Sequence, residues 1–434
     1  MYHTRKNIMK LSLKKLTSVV VFLLLYYIYM NSVRKVMVPM DGIVVPVILL
    51  MTILVSFYQM KGHIVIRNGI DKLQCLSWIM IAVFILIDNA DLLTNLIENG
   101  MIQLFAMICF FLFAVRYNEW QITWIKAARV FVMIHALATI IFFYMPSAYH
   151  RFAMLFFSGN TLSDLLRFYN KGWMSGLSSH FSSNGMMLAI GLIIFFEYTR
   201  ELRRIGCPKR SLYFNYACTF LVLYALILSS KRGPLIAAFI AISVTYVFAE
   251  GKNVGKRLLL FFVACIVLYV LYISLVNSIP GLATIMNKFK ALEESNVGIL
   301  NGREHRWVLA IDMFKSSPIW GKGYGSYEIF SASSGVQTSA NNFYLSTLGE
   351  LGIIGFGLFC MAFLSGVLSV TKLLKNEWQN GNKNRMMLCV SLEIQLFVII
   401  YCMTATALMY YYILIPYFLA CTVTRCPLEE LNYE

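Results

Sequence analysis

The sequence predicts an all-α integral membrane protein with about twelve transmembrane helices. Of the 434 residues, 59% are hydrophobic and only 13% are charged, whereas soluble domains carry about a quarter charged residues. The apolar residues also fall in runs near the length of about 20 residues that crosses the hydrocarbon core of a bilayer. Since no long polar stretch separates these runs, residues 1–434 are predicted to form a single polytopic membrane domain.

The first apolar run, 16–31, follows a basic leader, lacks a small-residue cleavage site and precedes many similar runs. We therefore interpret it as a membrane helix and not as a signal peptide. Two runs, 75–89 and 100–115, are short, which indicates helices that extend further or tilt. The predicted spans after the first are 40–58, 75–89, 100–115, 129–146, 184–199, 213–229, 234–249, 258–277, 344–369, 387–403 and 406–423.

The distribution of Lys and Arg predicts the orientation. Positive residues concentrate in short cytoplasmic loops, and the short basic loops all fall on one side when the N-terminus is inside. Both chain ends are then cytoplasmic, and two long segments, 146–184 and 278–341, are external loops. The net charge of +16 is explained by this topology and does not indicate nucleic-acid binding. Cys/His metal-ligand spacing is absent from the sequence, so neither a metal site nor disulfides are predicted.

Three short stretches carry residues that suit chemistry on the external side. The first is Ser229-Ser230-Lys231-Arg232-Gly233-Pro234, with two cations at the outer boundary of two spans. Pro234 suits the first turn of a helix, whose unpaired backbone N–H groups then point outward. A helix N-terminus beside a guanidinium favours phosphate, because the dipole and bidentate hydrogen bonds act together. The alternative is a pair of charges that extend to lipid headgroups at an ordinary helix end.

The second stretch lies in the larger external loop and repeats the same residue types. It contains Gly302-Arg303-Glu304-His305-Arg306-Trp307 and then Pro318-Ile319-Trp320-Gly321-Lys322-Gly323-Tyr324-Gly325. Glycines permit tight turns and close approach of a ligand to the backbone. The alternative is a solvated helix followed by a turn-rich loop. Amphipathic pieces such as 307–314 predict short helices packed at the membrane surface.

The third stretch opens the tenth span. It runs from Asn341-Asn342-Phe343-Tyr344-Leu345 to Glu350-Leu351-Gly352-Ile353-Ile354-Gly355. Asparagine is a favoured helix N-cap, and the later glycines are also typical of close helix packing in membranes.

Together the three stretches resemble the O-antigen ligase and polymerase superfamily of bacterial envelopes. The resemblance covers 230–357 by motif, and 171–180 is similar to the glycine-rich segment before a span in that family. It implies that Arg232 and Arg303 are the two arginines that hold the pyrophosphate of the donor. Many members have a histidine where this chain has Asn341, which cannot act as a general base. Either the reaction needs no strong base, or the proton acceptor lies elsewhere, with Glu304, His305 and His180 as the candidates.

The resemblance implies a metal-independent glycosyltransferase without a cofactor, working in the bacterial plasma membrane with its site towards the periplasm or exterior. Its donor would be an oligosaccharide on polyprenyl pyrophosphate. Its partners would be such lipid-linked oligosaccharides and the bilayer, with chain-length regulator and flippase proteins as further candidates and no nucleic acid. The catalytic residues predicted are Arg232, Arg303, His305 and Glu304. The substrate-binding residues predicted are Lys231, Gly233, Arg306, Lys322, Tyr324, Asn341, Asn342, Tyr344 and His180.

We expect a polymerase that joins lipid-linked repeat units into a surface polysaccharide such as capsule, O-antigen or exopolysaccharide. A ligase that transfers a finished glycan to another acceptor is the nearest alternative, and the missing histidine weighs against it. A transporter or flippase for lipid-linked sugars is an alternative of another class. Transporter folds often contain related halves with interrupted helices, and this sequence shows no such halves. A structural or regulatory membrane protein would leave the external arginines unexplained.

Overall fold

The computed structural model describes residues 2–30, 33, 41–87, 101–248, 255–256, 274, 303–334, 339–380 and 384–427. These residues form fifteen α-helices and no β-strand, so the predicted all-α class is confirmed. In chain order the helices are α1 (Tyr2–Tyr29), α2 (Asp41–Met60), α3 (Gly69–Ile87), α4 (Met101–Phe113), α5 (Trp120–Tyr144), α6 (Pro146–Phe156), α7 (Gly159–Asn170), α8 (Phe181–Arg204), α9 (Lys209–Leu228), α10 (Arg232–Phe248), α11 (Arg303–Ser316), α12 (Ser326–Ser333), α13 (Phe343–Asn380), α14 (Arg385–Tyr401) and α15 (Tyr411–Val423), with a short 3-10 helix at Ala407–Met409.

Eleven of the twelve predicted spans overlap a helix, and the span 258–277 lies outside the described residues except for residue 274. Six described helices are long and apolar enough to cross a membrane: Ile43–Met60, Gly69–Ile87, Trp120–Tyr144, Phe181–Arg204, Lys209–Leu228 and Phe343–Asn376. Shorter apolar helices cover Met101–Phe113, Arg232–Val247 and Tyr411–Val423. The chain is therefore a multi-pass membrane protein, while the number twelve stays a prediction.

Contacts define two ends of the helix bundle. α8 begins at Phe181, whose ring lies 5.1 Å from Lys231 Nζ, and its last turns carry Arg200, which lines a cavity together with Arg385 of α14. With a rise of about 1.5 Å per residue, these two places are roughly 30 Å apart. We call the end with Lys231 and Arg303 the site end, and the end with Arg200 and Arg385 the opposite end.

α3 runs between these two ends in the direction opposite to that of α8. α3 begins beside Arg425 at the opposite end, where Asp71 pairs with that residue. Near its other end, Phe84 stacks on Trp320 with ring centroids 5.7 Å apart. The middle of α3 is anchored by Trp78, which is fully buried against aromatic rings of α13 and α15.

Both segments predicted as external loops contain helices in their described parts. α6 and α7 lie within 146–184, and α11 and α12 lie within 278–341. The prediction of short helices in the second segment is therefore confirmed for 303–334. Residues 278–302 of that segment lie outside the described residues, so their predicted structure stays a prediction.

Candidate functional site

Three cations from two distant parts of the sequence meet at the site end. Lys231 lies in the short link between α9 and α10, Arg232 begins α10 and Arg303 begins α11. Burial, followed by the positive charges of Arg303 and Arg232, lowers the pKa of Lys231 to about 8. Burial also lowers the pKa of Arg303. The structure thus brings together the two arginines that the sequence singled out.

The residues directly before Lys231 are held by the glycine-rich segment 171–180. Ser230 adopts a left-handed backbone conformation with φ 54°, and its hydroxyl donates a hydrogen bond to the Gly172 carbonyl at 3.2 Å. The Met174 N–H donates to the Leu228 carbonyl at the end of α9. This segment therefore contacts the chain directly before Lys231 through backbone atoms.

The end of α14 supplies the other wall of the cation cluster. Arg303 Nη1 donates to the Thr404 carbonyl at 3.4 Å. A Cβ placed on Gly233 would lie 2.9 Å from a Tyr401 ring carbon, so α10 approaches this wall closely because position 233 has no side chain. The role of Gly233 seen here is helix packing beside the cluster.

The positive charge of the cluster suits the binding of an anion. In the part of the chain that the structure describes, neither Lys231 nor Arg303 forms an ion pair with a carboxylate. Like charges that are close and partly removed from water repel each other, and the N-terminal N–H groups of α10 add partial positive charge. A phosphate or pyrophosphate would neutralise this charge and accept these hydrogen bonds.

His180 caps α8 beside the cluster. Its Nδ1 accepts a hydrogen bond from the Ser182 N–H at 3.1 Å, which places the ring proton of the neutral imidazole on Nε2. Burial and the charge of Lys231 lower the pKa of His180 to about 4. His180 is therefore neutral at physiological pH, and in this arrangement its Nε2–H can donate to a ligand but cannot accept a proton.

The other two predicted proton-transfer residues lie on a different face of α11. Glu304 and His305 are exposed, whereas Ala310 and Met313 on the packed face are buried. Successive helical residues are rotated by about 100°, so the side chains of Glu304 and His305 point away from the face of α11 that carries Arg303. Arg306 is half-buried and its charge acts on Arg303.

The loop 318–323 pairs with the start of α13 through its backbone. The Gly323 N–H donates to the Glu350 carbonyl at 2.8 Å, the Lys322 N–H donates to the Gly349 carbonyl at 3.2 Å, and the Ile353 N–H donates to the Pro318 carbonyl at 2.9 Å. The Lys322 side chain is exposed, and these contacts use only its backbone. The glycine-rich motif is therefore a structural joint between two elements of the site.

Gly352 breaks α13 at this joint. Its φ of 62° and ψ of −166° lie in a region that is essentially restricted to glycine. A Cβ on Gly352 would overlap the Ile319 carbonyl, and one on Gly321 would overlap the Glu350 carbonyl. The two glycines are required because the backbones of the loop and the broken helix touch.

Gly352→Ala should therefore destabilise the joint by about 1–3 kcal/mol through backbone strain, with a further cost from the overlap with Ile319. Gly357→Ala is the matched control, because Gly357 lies in the same helix and has open space around a built Cβ. We expect a lower thermal unfolding temperature of the purified protein for Gly352→Ala only. Equal unfolding temperatures for the two variants would contradict the strain argument.

A cavity of about 290 Å³ adjoins the joint at the site end. Glu350 forms part of its wall and is only 2% exposed. Its carboxylate accepts a hydrogen bond from the Tyr327 N–H at 3.2 Å, and Gly325 and Ser346 also hydrogen-bond to it. The lining residues are Gln103, Gly325, Tyr327, Glu328, Ser339, Ala340, Ser346, Glu350, Thr406, Met409, Tyr410, Tyr411 and Leu414.

The remaining predicted substrate-binding residues have packing or capping roles. Asn342 Oδ1 accepts from the Leu345 N–H at 3.1 Å, so Asn342 caps α13. Asn341 adopts a left-handed conformation with φ 53°, which asparagine tolerates better than most residues. The Tyr344 hydroxyl donates to the Ile399 carbonyl on α14 at 2.8 Å. Tyr324 is 6% exposed within the hydrophobic core, so its ring does not face solvent.

Two features of the site were missed by sequence reasoning. The sequence identifies Glu350 only as part of a motif and assigns it no role. It predicts the turn after α14, with Thr404 and Thr406, only as the junction of two spans. An acidic residue between two glycines, Gly349 and Gly352, in an otherwise apolar predicted span is a signal that could have identified Glu350.

The fold and this site define a class: a multi-pass α-helical membrane protein with a cation cluster and an adjoining polar cavity at one end of its bundle. Residues 217–360, about a third of the chain, match the family model of O-antigen ligase. The match includes Arg232, Arg303 and Glu350, and it confirms the resemblance to the O-antigen ligase and polymerase superfamily. Enzymes of this family are glycosyltransferase-like. No curated protein matches the chain.

Proposed function

We propose that the protein is a polymerase that joins oligosaccharide repeat units carried on polyprenyl pyrophosphate at the outer face of the plasma membrane. The observation that supports this most is the cluster of Lys231, Arg232 and Arg303, which is positioned for an anionic phosphate group. The apolar bundle around it offers a surface for a polyprenyl chain. The orientation follows from the Lys and Arg bias of the loops.

In the proposed reaction a hydroxyl of the incoming lipid-linked unit attacks the anomeric carbon of the growing chain. The new C–O bond forms as the C–O bond to pyrophosphate breaks, and the electron pair leaves with the pyrophosphate oxygen. Arg232 and Arg303 stabilise this developing negative charge by electrostatic preorganisation. The growing chain is thereby transferred to the incoming lipid-linked unit.

The cavity beside Glu350 would receive the acceptor sugar. Its wall combines tyrosine side chains with carboxylate, amide and hydroxyl groups, a mixture that suits a sugar because aromatic rings cover its apolar face while polar groups bind its hydroxyls. Thr406 on this wall lies two residues from Thr404, whose carbonyl accepts a hydrogen bond from Arg303. The acceptor hydroxyl and the donor pyrophosphate would thus be neighbours.

Within this proposal Glu350 receives the proton of the attacking hydroxyl. Glu304 and His305 are on the exposed face of α11 and His180 is a cap with a low pKa, whereas Glu350 is a buried carboxylate on the cavity wall. The sequence left the proton acceptor open because Asn341 occupies the position of the usual histidine. A carboxylate on a neighbouring element would fill that role.

Glu350→Gln should reduce polymerisation by roughly 10²–10⁴-fold, the usual contribution of a positioned base. Glutamine keeps an oxygen that can accept the hydrogen bond from the Tyr327 N–H, so the fold should be retained. Polymer length and rate would be measured in a strain complemented with the variant, with membrane insertion measured in parallel. Polymer of normal length and amount in Glu350→Gln would exclude this carboxylate from proton transfer.

The pKa of Lys231 predicts a pH dependence of donor binding. The folded protein holds this amine near a pKa of about 8 instead of its ordinary value of 10.5, so the positive charge is lost as pH rises through 8. The unfolded chain still binds the proton between those values, and unfolding stability should therefore increase with pH in that window. Affinity for a pyrophosphate ligand should change in the other direction and decrease.

The affinity of the purified protein for a polyprenyl pyrophosphate should therefore decrease between pH 7 and pH 9.5. Lys231→Arg is the matched control because a guanidinium stays charged over this range. The decrease should be absent or much smaller in that variant. The same decrease in both proteins would assign the pH dependence to another group.

The function itself is tested by deleting the gene in its host and sizing lipid-linked and surface glycans on a gel. Accumulation of single repeat units is the expected result. Long glycan chains that remain attached to the lipid carrier would identify a ligase instead. A normal surface glycan would contradict both.

A further inference from the structure

The cavity beside Glu350 has a negatively charged wall. Its described lining contains two carboxylates, Glu350 and Glu328, and neither lysine nor arginine. Glu350 is 2% exposed, whereas Glu328, in the first turn of α12, is exposed. Neither carboxylate forms an ion pair with a residue that the structure describes. A ligand in this cavity therefore faces negative charge that the described wall does not neutralise.

The uncharged polar groups of the wall suit a ligand that donates hydrogen bonds. Gln103 Nε2 donates to the Tyr27 hydroxyl at 3.5 Å, while Gln103 Oε1 is buried without a hydrogen-bond partner among the described residues. The serine, threonine and tyrosine hydroxyls of the wall can donate or accept, and the faces of the tyrosine rings carry negative potential. Free hydroxyl or amino groups of a sugar match this wall, because both supply donors.

The cations near the cavity do not reverse its charge. In the proposed reaction the donor pyrophosphate binds the cluster of Lys231, Arg232 and Arg303, and its negative charge offsets theirs. The charge of Arg306 acts on the Tyr327 hydroxyl, which donates to the Arg306 carbonyl at 3.0 Å, but Arg306 does not line the cavity. The acceptor therefore enters between a negative wall and an anionic donor.

We propose that the accepting sugar carries no acidic group, and that Glu328 is the residue that excludes acidic sugars from the cavity. This inference rests on the polymerase function proposed above. A carboxylate can only accept hydrogen bonds, and like charges brought together in a partly dehydrated site repel each other. Repulsion of the wrong ligand is an established source of specificity. Neutral and amino sugars avoid this repulsion and keep donors for Glu350 and Glu328.

The size of the cavity limits this selection to a small part of the acceptor. Its volume of about 290 Å³ lies at the lower end of the range of roughly 300–1,000 Å³ that ligand pockets span. The cavity therefore encloses the sugar that presents the attacking hydroxyl, and the other sugars of the repeat unit lie outside it. Acidic sugars at those other positions are compatible with the proposal.

The first test identifies the accepting sugar in the native glycan. Single repeat units from the gene-deletion strain and polymer from the wild type would be compared by linkage analysis, which finds the sugar that gains a substituent in the polymer. A neutral or amino sugar is the expected result. A uronic acid or another acidic sugar at that position would overturn this inference and leave the polymerase function standing. If no single units accumulate, the proposed function fails, and this inference fails with it.

The second test measures the role of Glu328 in the full-length protein in detergent. Transfer, as kcat/KM, is compared between the native repeat unit and a synthetic derivative that bears one carboxylate on the accepting sugar, away from the linkage hydroxyl. The wild type should prefer the native unit, and Glu328→Lys should reduce this preference roughly tenfold, since an attracting charge replaces a repelling one. Asp312→Lys is the matched control, because Asp312 is exposed on α11 and does not line the cavity.

The preference is a ratio of two rates for one variant, so a loss of folded protein does not change it. Equal preferences in the wild type, Glu328→Lys and Asp312→Lys would overturn the role of Glu328. If Glu328→Lys does not fold, Glu328→Gln gives the same comparison with a smaller change, roughly threefold, because it removes a charge without reversing it. An unchanged preference in Glu328→Gln would equally contradict the proposal.

Discussion

Replacing Arg303 by alanine is expected to abolish polymer formation while leaving the protein folded in the membrane. The side chain donates one long hydrogen bond, 3.4 Å to the Thr404 carbonyl, so its loss removes little stabilising contact. It faces Lys231, which is half-buried, and its removal relieves repulsion on this amine, whose pKa should rise from about 8. The variant should therefore be at least as stable as the wild type. Its loss of activity would be specific to function.

The size of the effect follows from the role we propose. Loss of one preorganised donor to a developing negative charge reduces rates by about 10²–10³-fold, and polymer formation amplifies such a loss because each chain needs many transfers. Arg232→Ala should behave in the same way, and Arg303→Lys should keep charge but lose bidentate geometry and recover only part of the activity. Arg210→Ala, an exposed arginine at the opposite end, is the matched control.

Gel analysis of lipid-linked glycans in a deletion strain complemented with each variant provides the measurement. Single repeat units should accumulate with Arg303→Ala and Arg232→Ala, and full-length polymer should return with Arg210→Ala. Normal polymer with either alanine variant would remove that arginine from the mechanism. Long lipid-linked chains would show that the cluster acts in ligation.

The spans and the cation cluster could be predicted from sequence because each depends on local composition. An apolar run long enough to cross the bilayer forms a helix, since backbone groups in hydrocarbon need internal hydrogen bonds. Lys231 and Arg232 stand out because they occur at the boundary that should contain few cations. Their proximity to Arg303 followed only from the family resemblance, since no local pattern joins residues so far apart in the chain.

The proton-transfer residues could not be predicted in the same way because their roles depend on which face of an element they occupy. Glu304 and His305 have suitable chemistry but lie on the exposed side of α11. Glu350 stands out as an acidic residue in an apolar helix, but its position on the cavity wall becomes evident only once the break at Gly352 and the loop 318–323 are known. The pairing between that loop and α13 uses backbone atoms, which leave little trace in sequence beyond the glycines.

At the opposite end of the bundle, the contact with the largest expected effect on stability joins Asp71 to Arg425. Both side chains are buried, with exposures of 4% and 2%. Arg425 Nε donates to Asp71 Oδ1 at 2.8 Å, and its other nitrogens donate to the carbonyls of Phe111 at 2.5 Å and Val65 at 2.6 Å. One guanidinium thus ties the start of α3, the end of α4 and the segment after α15.

Asp71→Ala should lower the free energy of unfolding by about 3–5 kcal/mol, because it leaves the Arg425 charge buried without a counter-charge. Asp164→Ala removes an exposed pair with Arg167 and should cost less than about 1 kcal/mol. Thermal and denaturant unfolding in detergent would measure both. Replacing both partners by apolar residues, as in Asp71→Leu/Arg425→Met, should recover much of the loss, since no charge is then left buried. An Asp71→Ala protein that unfolds like Asp164→Ala would mean that water or lipid phosphate reaches Arg425, and the three elements would then be joined mainly by apolar packing.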